Sequence, residues 1–397
     1  MSNKSPGRKT GMRILLFCAA ALFISCGSSD GDLSNYSAKR RTSFDYFGTV
    51  CFISVYDDFT DPQASVRLDT AWEEILSLLA ELEAAASFDR EDSDIGRFNS
   101  ARSGQRVAIS PLTAEIIAKA IEMYRFTDGA YNPAVANLVD LWGFSPRFRE
   151  EGHQPMPYDR SRNPDGGFNL PKQIYVEAFK NLSDFSQLSL EGDASSGYFL
   201  KKNASDIEIE GRIYSQKIDL GGIAKGWGAQ KAAEILKAHG YEYGYASLGM
   251  SSMSLLKRTV SDAGAKAANL WAISVSDPDQ PSRTALEIFA KDLSLSTSGA
   301  YDLRYNVGNR VYGHIIDAAT GEPSRGEVLS ATVLGKDAAF ADAISTALCV
   351  MDKESALAFL NRRLSEYKVA LLLRDLSTKI ELVTNIPSNE YVLAKQE

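Results

Sequence analysis

The chain has 397 residues, with 51 acidic against 43 basic side chains, a formal net charge of -8 and a pI near 5.2. That balance, with no basic cluster beyond Lys39-Arg40-Arg41, argues against a nucleic-acid partner held through its phosphates. Four cysteines over this length make no disulfide framework, and a body this long buries a full core without one.

Residues 1–25 read as an export signal: Lys4, Arg8, Lys9 and Arg13, then the apolar run Ile14–Ile24, then Ser25. The run is shorter than the ~20 apolar residues a bilayer span needs. Ser25-Cys26 resembles the lipobox of bacterial lipoproteins, so Cys26 is the expected lipidation site. The expected location is the bacterial cell envelope, lipid-anchored on the periplasmic face of the inner membrane; ordinary secretion with Cys26 incidental is the alternative. Residues 26–43 are polar and rich in Ser, Gly and Asp, which predicts a flexible tether with Lys39-Arg40-Arg41 solvated. Cys51 and Cys349 sit in apolar stretches and read as small buried hydrophobes.

Phe44–Asp57 alternates as a first strand, interrupted by Gly48-Thr49. Ala64–Ala86 spaces Val66, Leu68, Ala71, Ile75, Leu78, Leu79 and Leu82 for one buried helix face. A second helix, Pro111–Thr127, starts on the cap Ser110 with Pro111 in its first turn. Residues 145–172 hold Pro146, Pro155, Pro157, Pro164 and Pro171 with little periodicity, which predicts a surface excursion. One or two hairpins follow over Gly192–Gly211. The apolar run at Lys217 reads as a strand feeding a glycine turn that opens a helix over Ala224–Gly240. Strands are expected within Gly240–Ser254, at Leu270–Val275, Thr284–Thr297 and Gly308–Asp317, helices over Phe340–Met351 and Glu354–Tyr367, and strands near Val369–Leu373 and Thr378–Leu382. Helices at either end with strands between predict an α+β fold, one domain over 44–397 with mixed or antiparallel sheets and flanking helices.

Several short stretches carry chemistry. In Asp219-Leu220-Gly221-Gly222-Ile223-Ala224-Lys225-Gly226 a glycine turn opening a helix gathers backbone N–H groups at the positive end of the helix dipole, which suits a phosphate. Asp342 and Thr346, at i and i+4, pair a carboxylate with a hydroxyl on one helix face, a hard-oxygen pair fit for Mg²⁺ rather than zinc; a surface Asp and a buried Thr is the plainer alternative. His314, in Tyr312-Gly313-His314-Ile315-Ile316-Asp317, reads either as a structural histidine or as a base, on a strand that puts it on one face with Ile316. Thr127-Asp128-Gly129-Ala130-Tyr131-Asn132-Pro133 could wall a flat ring or simply pack as a turn. Ser294-Leu295-Ser296-Thr297-Ser298-Gly299 clusters hydroxyls beside a glycine.

In their order along the chain, Phe47-Gly48-Thr49-Val50, Ser87-Phe88-Asp89 with Ile95-Gly96-Arg97-Phe98-Asn99, Asp128 through Pro133, Asp219 through Gly226, Thr297-Ser298-Gly299, His314-Ile315-Ile316-Asp317 and Ala341-Asp342-Ala343 through Thr346 resemble the ApbE family of FAD:protein FMN transferases, over about 44–383. The resemblance implies a T-fold-like domain and an extracytoplasmic enzyme that takes FAD as substrate with Mg²⁺ as cofactor. It implies transfer of FMN to a threonine of an acceptor redox protein, a membrane flavoprotein subunit, with release of AMP. Carried over by residue, Ala224 (through its carbonyl), Asp342 and Thr346 hold the metal, and His314 and Asp342 are the catalytic candidates. Gly48, Thr49, Asp128, Tyr131, Asp219, Gly221, Gly222, Lys225, Met250, Ser298 and His314 are the candidates for holding FAD. Phe47 stands where the family commonly has Met, and Ala318-Ala319 where Pro-Arg is common. An Mg²⁺-dependent FAD pyrophosphatase and a non-catalytic FAD-binding lipoprotein are the alternatives the same residues allow.

Overall fold

The computed structural model describes residues 35–145, 170–258, 270–299, 303–374 and 379–394. Cys26, the export signal and nearly all of the 145–172 excursion lie outside them.

One antiparallel sheet of eight strands organises the body. In chain order its strands are β1 (Tyr36–Ser43), β2 (Cys51–Asp58), β3 (Tyr243–Leu248), β4 (Ser252–Leu255), β5 (Ser294–Gly299), β6 (Val328–Gly335), β7 (Lys368–Arg374) and β8 (Ile380–Thr384). Each pairs with the next, so the sheet is a single meander interrupted by insertions. β1 corrects the expected tether. Tyr36 through Ser43 pair with Asp58 through Cys51 residue for residue, and the basic triplet is held rather than free. Arg41 bonds Asp69 at 2.5 Å, Lys39 bonds Ser65 at 2.8 Å, and Arg40 donates to the Tyr245 hydroxyl at 3.0 Å. The first expected strand is in turn cut back to β2, because the turn at Phe47-Gly48 takes positive φ.

Eight α-helices accompany the sheet among the described residues: α1 (Pro62–Ala86), α2 (Asp94–Ser100), α3 (Pro111–Phe126), α4 (Ala136–Trp142), α5 (Gln173–Asn181), α6 (Ala224–Ala238), α7 (Ala338–Val350) and α8 (Lys353–Arg363). The caps expected of such sequences are made. Asp61, Ser110, Asp337 and Asp352 each accept a first-turn N–H of α1, α3, α7 and α8. Strand alternation then divides the sheet between two cores. Ile53, Val333, Val369 and Leu371 face α1, α3, α6 and α7. Tyr245, Leu295, Ala370 and Leu372 face a smaller sheet of Trp271–Ser276, Thr284–Ala290 and Tyr391–Leu393. A third cluster gathers α4, α5 and two small hairpins around Trp142, Phe179 and Tyr312.

The apolar run before the glycine turn is buried but is not a strand. Ile218 and Leu220 lie in the core, while backbone groups of the segment are met by two side chains and a loop carbonyl. Asn99 brackets Ile218, accepting its N–H at 2.8 Å and donating to its carbonyl at 2.9 Å; Asn137 donates to Ser215 O at 2.9 Å, and Asp219 N–H reaches Pro133 O at 2.8 Å. Two asparagines and a loop carbonyl do the work of a neighbouring strand.

Candidate active site

α7 is buried along its whole length except at Thr346 and Val350. Thr346 is therefore where the helix opens, one turn from the buried Asp342, 3% exposed. The first turn of α6 lies against it. Gly226 N–H donates to Asp342 Oδ2 at 2.9 Å, and Ser296 of β5 donates to Asp342 Oδ1 at 3.1 Å. Ser252 of β4 stands 2.6 Å behind Ser296, and since a carboxylate only accepts, Ser296 must take its own hydrogen bond from Ser252. On the open side Ser298 lies 3.2 Å from the Thr346 hydroxyl and 2.8 Å from Ser345.

Glycine makes this contact achievable. A Cβ on Gly226 would lie 2.2 Å from Ala338 O and 2.7 Å from Asp342 Cβ, so α6 and α7 cross at this distance only without a side chain there. A Cβ on Gly222 would stand 3.2 Å from Thr346 Oγ1 and 3.4 Å from the Tyr131 ring. The glycine turn thus lies on the Thr346 hydroxyl, with Tyr131 over it.

The expected FAD-holding residues divide into those the fold gathers and those it does not. Asp219 accepts Gly221 N–H at 2.7 Å, and Lys225 donates to Gly221 O at 2.5 Å. Burial raises the Asp219 carboxyl above its ordinary range, against the opposing pull of Gly221 N–H and Lys225. Lys225 and Thr49 both pack on Gly249, joining the Gly48-Thr49 turn to the Gly249-Met250 turn at the same end of the sheet; Met250 itself points out, 61% exposed. Asp128 stands apart. It pairs with Arg363 of α8 at 3.0 Å and borders a cleft of about 510 Å³ lined also by Asn132, Asp317 and Met351. His314 is not on a strand. It sits half-buried in the bend between Arg310–Gly313 and Ile316–Asp317, its N–H donated to Leu303 O at 3.0 Å. Ser252 lies outside every stretch read for chemistry and Ser296 enters only as one of the clustered hydroxyls of Ser294–Gly299; the alternation of Ser294, Ser296 and Ser298, which puts all three on the α7 face of β5, is the signal for its place.

The side-chain groups gathered here are all oxygen donors: the Asp342 carboxylate and the Thr346 and Ser298 hydroxyls. No three His, Cys, Asp or Glu side chains converge as a metal cluster among the described residues. One carboxylate with hydroxyl oxygens fits a hard cation that keeps ligands for a phosphate, as Mg²⁺ does. One more polar atom faces this place: the Tyr131 hydroxyl is buried with no hydrogen-bond partner among the described residues. Burial, then the Asp342 and Asp219 charges, push its pKa well up, so it stays a neutral donor.

The model of the ApbE family matches residues 47–371. A FAD:protein FMN transferase of Vibrio cholerae is 30% identical over 286 residues, covering 72% of this chain and 74% of its own. One from Treponema pallidum is 27% identical over 354 residues, 89% of this chain and 87% of its own. The solved flavin transferase ApbE from Vibrio cholerae matches with a TM-score of 0.68 at 27% identity, over 88% of this chain and 98% of that one. The meander, the glycine turn seated on Asp342 and Thr346, and a match running from the Gly48 turn into β7 together make this chain a member of the ApbE family.

Proposed function

We propose that this enzyme is a FAD:protein FMN transferase whose diphosphate substrate lies on the glycine turn Gly221–Gly226 and whose acceptor is a threonine of a redox protein. The observation that carries the reading is the contact of that turn with Asp342 and Thr346, two segments over a hundred residues apart in sequence. In the reaction the threonine oxygen bonds to the flavin-side phosphorus as the bridge to AMP breaks, and AMP leaves. Such a transfer asks a protein for alignment and charge neutralisation rather than a nucleophile of its own.

Asp342, Thr346 and the Ala224 carbonyl would hold Mg²⁺, which when bound offsets diphosphate charge and polarises the phosphorus. Lys225 and the positive end of the α6 dipole would face the same anion. His314 is assigned to orienting or deprotonating the threonine hydroxyl. Lipidation at Cys26 would hold the body at the cell envelope; among the described residues no helix is long and apolar enough to cross a membrane.

The test is to incubate the soluble body with FAD, Mg²⁺ and an acceptor domain bearing a threonine in a Ser/Thr-Ala-Thr context. Flavin fluorescence that stays on the denatured acceptor, lost in Asp342→Ala, supports the reading. Free FMN and AMP with an unmodified acceptor points to hydrolysis, and intact bound FAD to a binding protein; either outcome sinks transfer.

A further inference from the structure

We infer that the Tyr131 hydroxyl is a hydrogen-bond donor to a phosphate oxygen of the dinucleotide, beyond any role of its ring as a wall for flavin or adenine. The inference rests on the function proposed above and names a contact within that site.

Three observations carry it. Tyr131 is 3% exposed, and its hydroxyl has no partner among the described residues. A buried O–H left without an acceptor is a cost that folded proteins generally avoid unless something else completes it. Next, the hydroxyl is at the site. The Tyr131 ring carbon beside the one bearing oxygen is 3.4 Å from the Cβ position of Gly222, which is itself 3.2 Å from Thr346 Oγ1. Finally, no acceptor close by is engaged with the phenol among the described residues. Asp342 Oδ1 and Oδ2 receive Ser296 and Gly226, and Asp219 Oδ1 receives Gly221 N–H.

An acceptor must therefore arrive with the ligand. Lys225, the positive end of the α6 dipole and the Thr346 hydroxyl lie about the place where it would enter, and their chemistry selects an anionic oxygen over a neutral one. Asp128, Gly129 and Ala130 precede Tyr131 in a turn closed by Gly129 N–H to Tyr124 O at 2.8 Å, and Tyr131 N–H is held by Thr127 Oγ1 at 2.9 Å, so the ring is carried on a fixed backbone. The phenol is preorganised for a partner it has yet to meet.

Tyr131→Phe removes only that oxygen. The expected result is an apo protein whose thermal midpoint is unchanged or higher, since an unmet polar group is gone. FAD binding in the presence of Mg²⁺ should weaken, and kcat/KM for FMN transfer fall, by roughly 10- to 100-fold, the range of one hydrogen bond to a charged acceptor. Unchanged FAD affinity and transfer overturn the inference. A fall in the apo midpoint with the affinity loss also overturns it, because the hydroxyl is then structural. A wild-type protein that neither binds FAD nor transfers FMN sinks the proposed function itself; a competent wild type matched by Tyr131→Phe sinks only this contact.

Discussion

Ser296 donates to Asp342 Oδ1 at 3.1 Å while receiving its own hydrogen bond from Ser252 at 2.6 Å, both serines fully buried on the strand face beneath α7. With Gly226 N–H on the other oxygen, the carboxylate has no freedom to rotate. Partners of this kind orient a metal-ligating carboxylate, and their loss typically weakens metal binding 10- to 100-fold. Ser296→Ala is expected to keep the fold and lower the apparent Mg²⁺ affinity by about tenfold. Mg²⁺ titration of the FAD-dependent thermal shift measures it, and an unaltered midpoint would show that Gly226 alone suffices.

Two glycines four residues apart should fail in different ways. At Gly226 an added methyl meets backbone oxygen at 2.2 Å, which only separation of α6 from α7 can relieve. Gly226→Ala is expected to cost about 1–3 kcal/mol of stability, the range for overpacking a tight core, and to end activity. At Gly222 the nearest atoms are the ends of Thr346 and Tyr131 side chains, 3.2 and 3.4 Å away, which can give slightly. Gly222→Ala should therefore melt near the wild type but lose FAD affinity. Urea unfolding and FAD titration of the pair separate the effects; equal destabilisation of both variants would contradict the geometry.

What was legible in the sequence follows from which signals are local. α1, α3, α6 and α7 announce themselves by apolar spacing and by Ser110-Pro111-type starts, and the i, i+4 pair on α7 is a property of the helix alone. β6, Val328–Gly335, carries apolar residues toward both cores, so it shows no alternation to read. β1 is an edge strand with one buried residue in eight, and its composition is that of a linker; only its pairing with β2 makes it a strand. The segment Ser215–Leu220 has the apolar content of a strand, but Asn99 and Asn137, far away in sequence, supply its hydrogen bonds. The Ser252–Ser296–Asp342 relay joins β4, β5 and α7, and no single stretch could reveal it.

The place of β1 gives a truncation test. A body beginning at Asn35 keeps the full ladder with β2, whereas one beginning at Phe44 exposes the β2 edge and removes Arg40 from its place over Phe52 and against the Tyr245 hydroxyl. The shorter body should lose on the order of 2–4 kcal/mol, from a handful of ladder hydrogen bonds at about 0.5–1.5 kcal/mol each, and should aggregate through the bared edge. Chemical denaturation with light scattering on both bodies reads this out. Equal stability would restore residues 36–43 to the status of a tether.

Lys202 supplies a pH test away from the site. Its side chain is fully buried, with the ammonium donating to Ala101 O at 2.6 Å and Asn99 O at 3.3 Å at the end of α2 and lying 4.8 Å over the Phe98 ring. Burial, the largest influence, lowers its pKa to about 7 from an ordinary 10.5. The unfolded chain then holds a proton that the native protein has released wherever the pH lies between those values, so stability rises with pH through that window and is flat below it. Cys51 and Cys349, pushed up to about 11 and about 12 by burial, act in the opposite sense once their unfolded thiols ionise near 9. The informative range is therefore about pH 7 to 8.5. Urea unfolding of the wild type should show stability climbing across it, and Lys202→Met, which keeps the length of the chain without the charge, should lose that climb. Parallel pH profiles for the two proteins would mean that the carbonyls of Asn99 and Ala101 hold the lysine charged throughout, and that burial does not govern its ionisation.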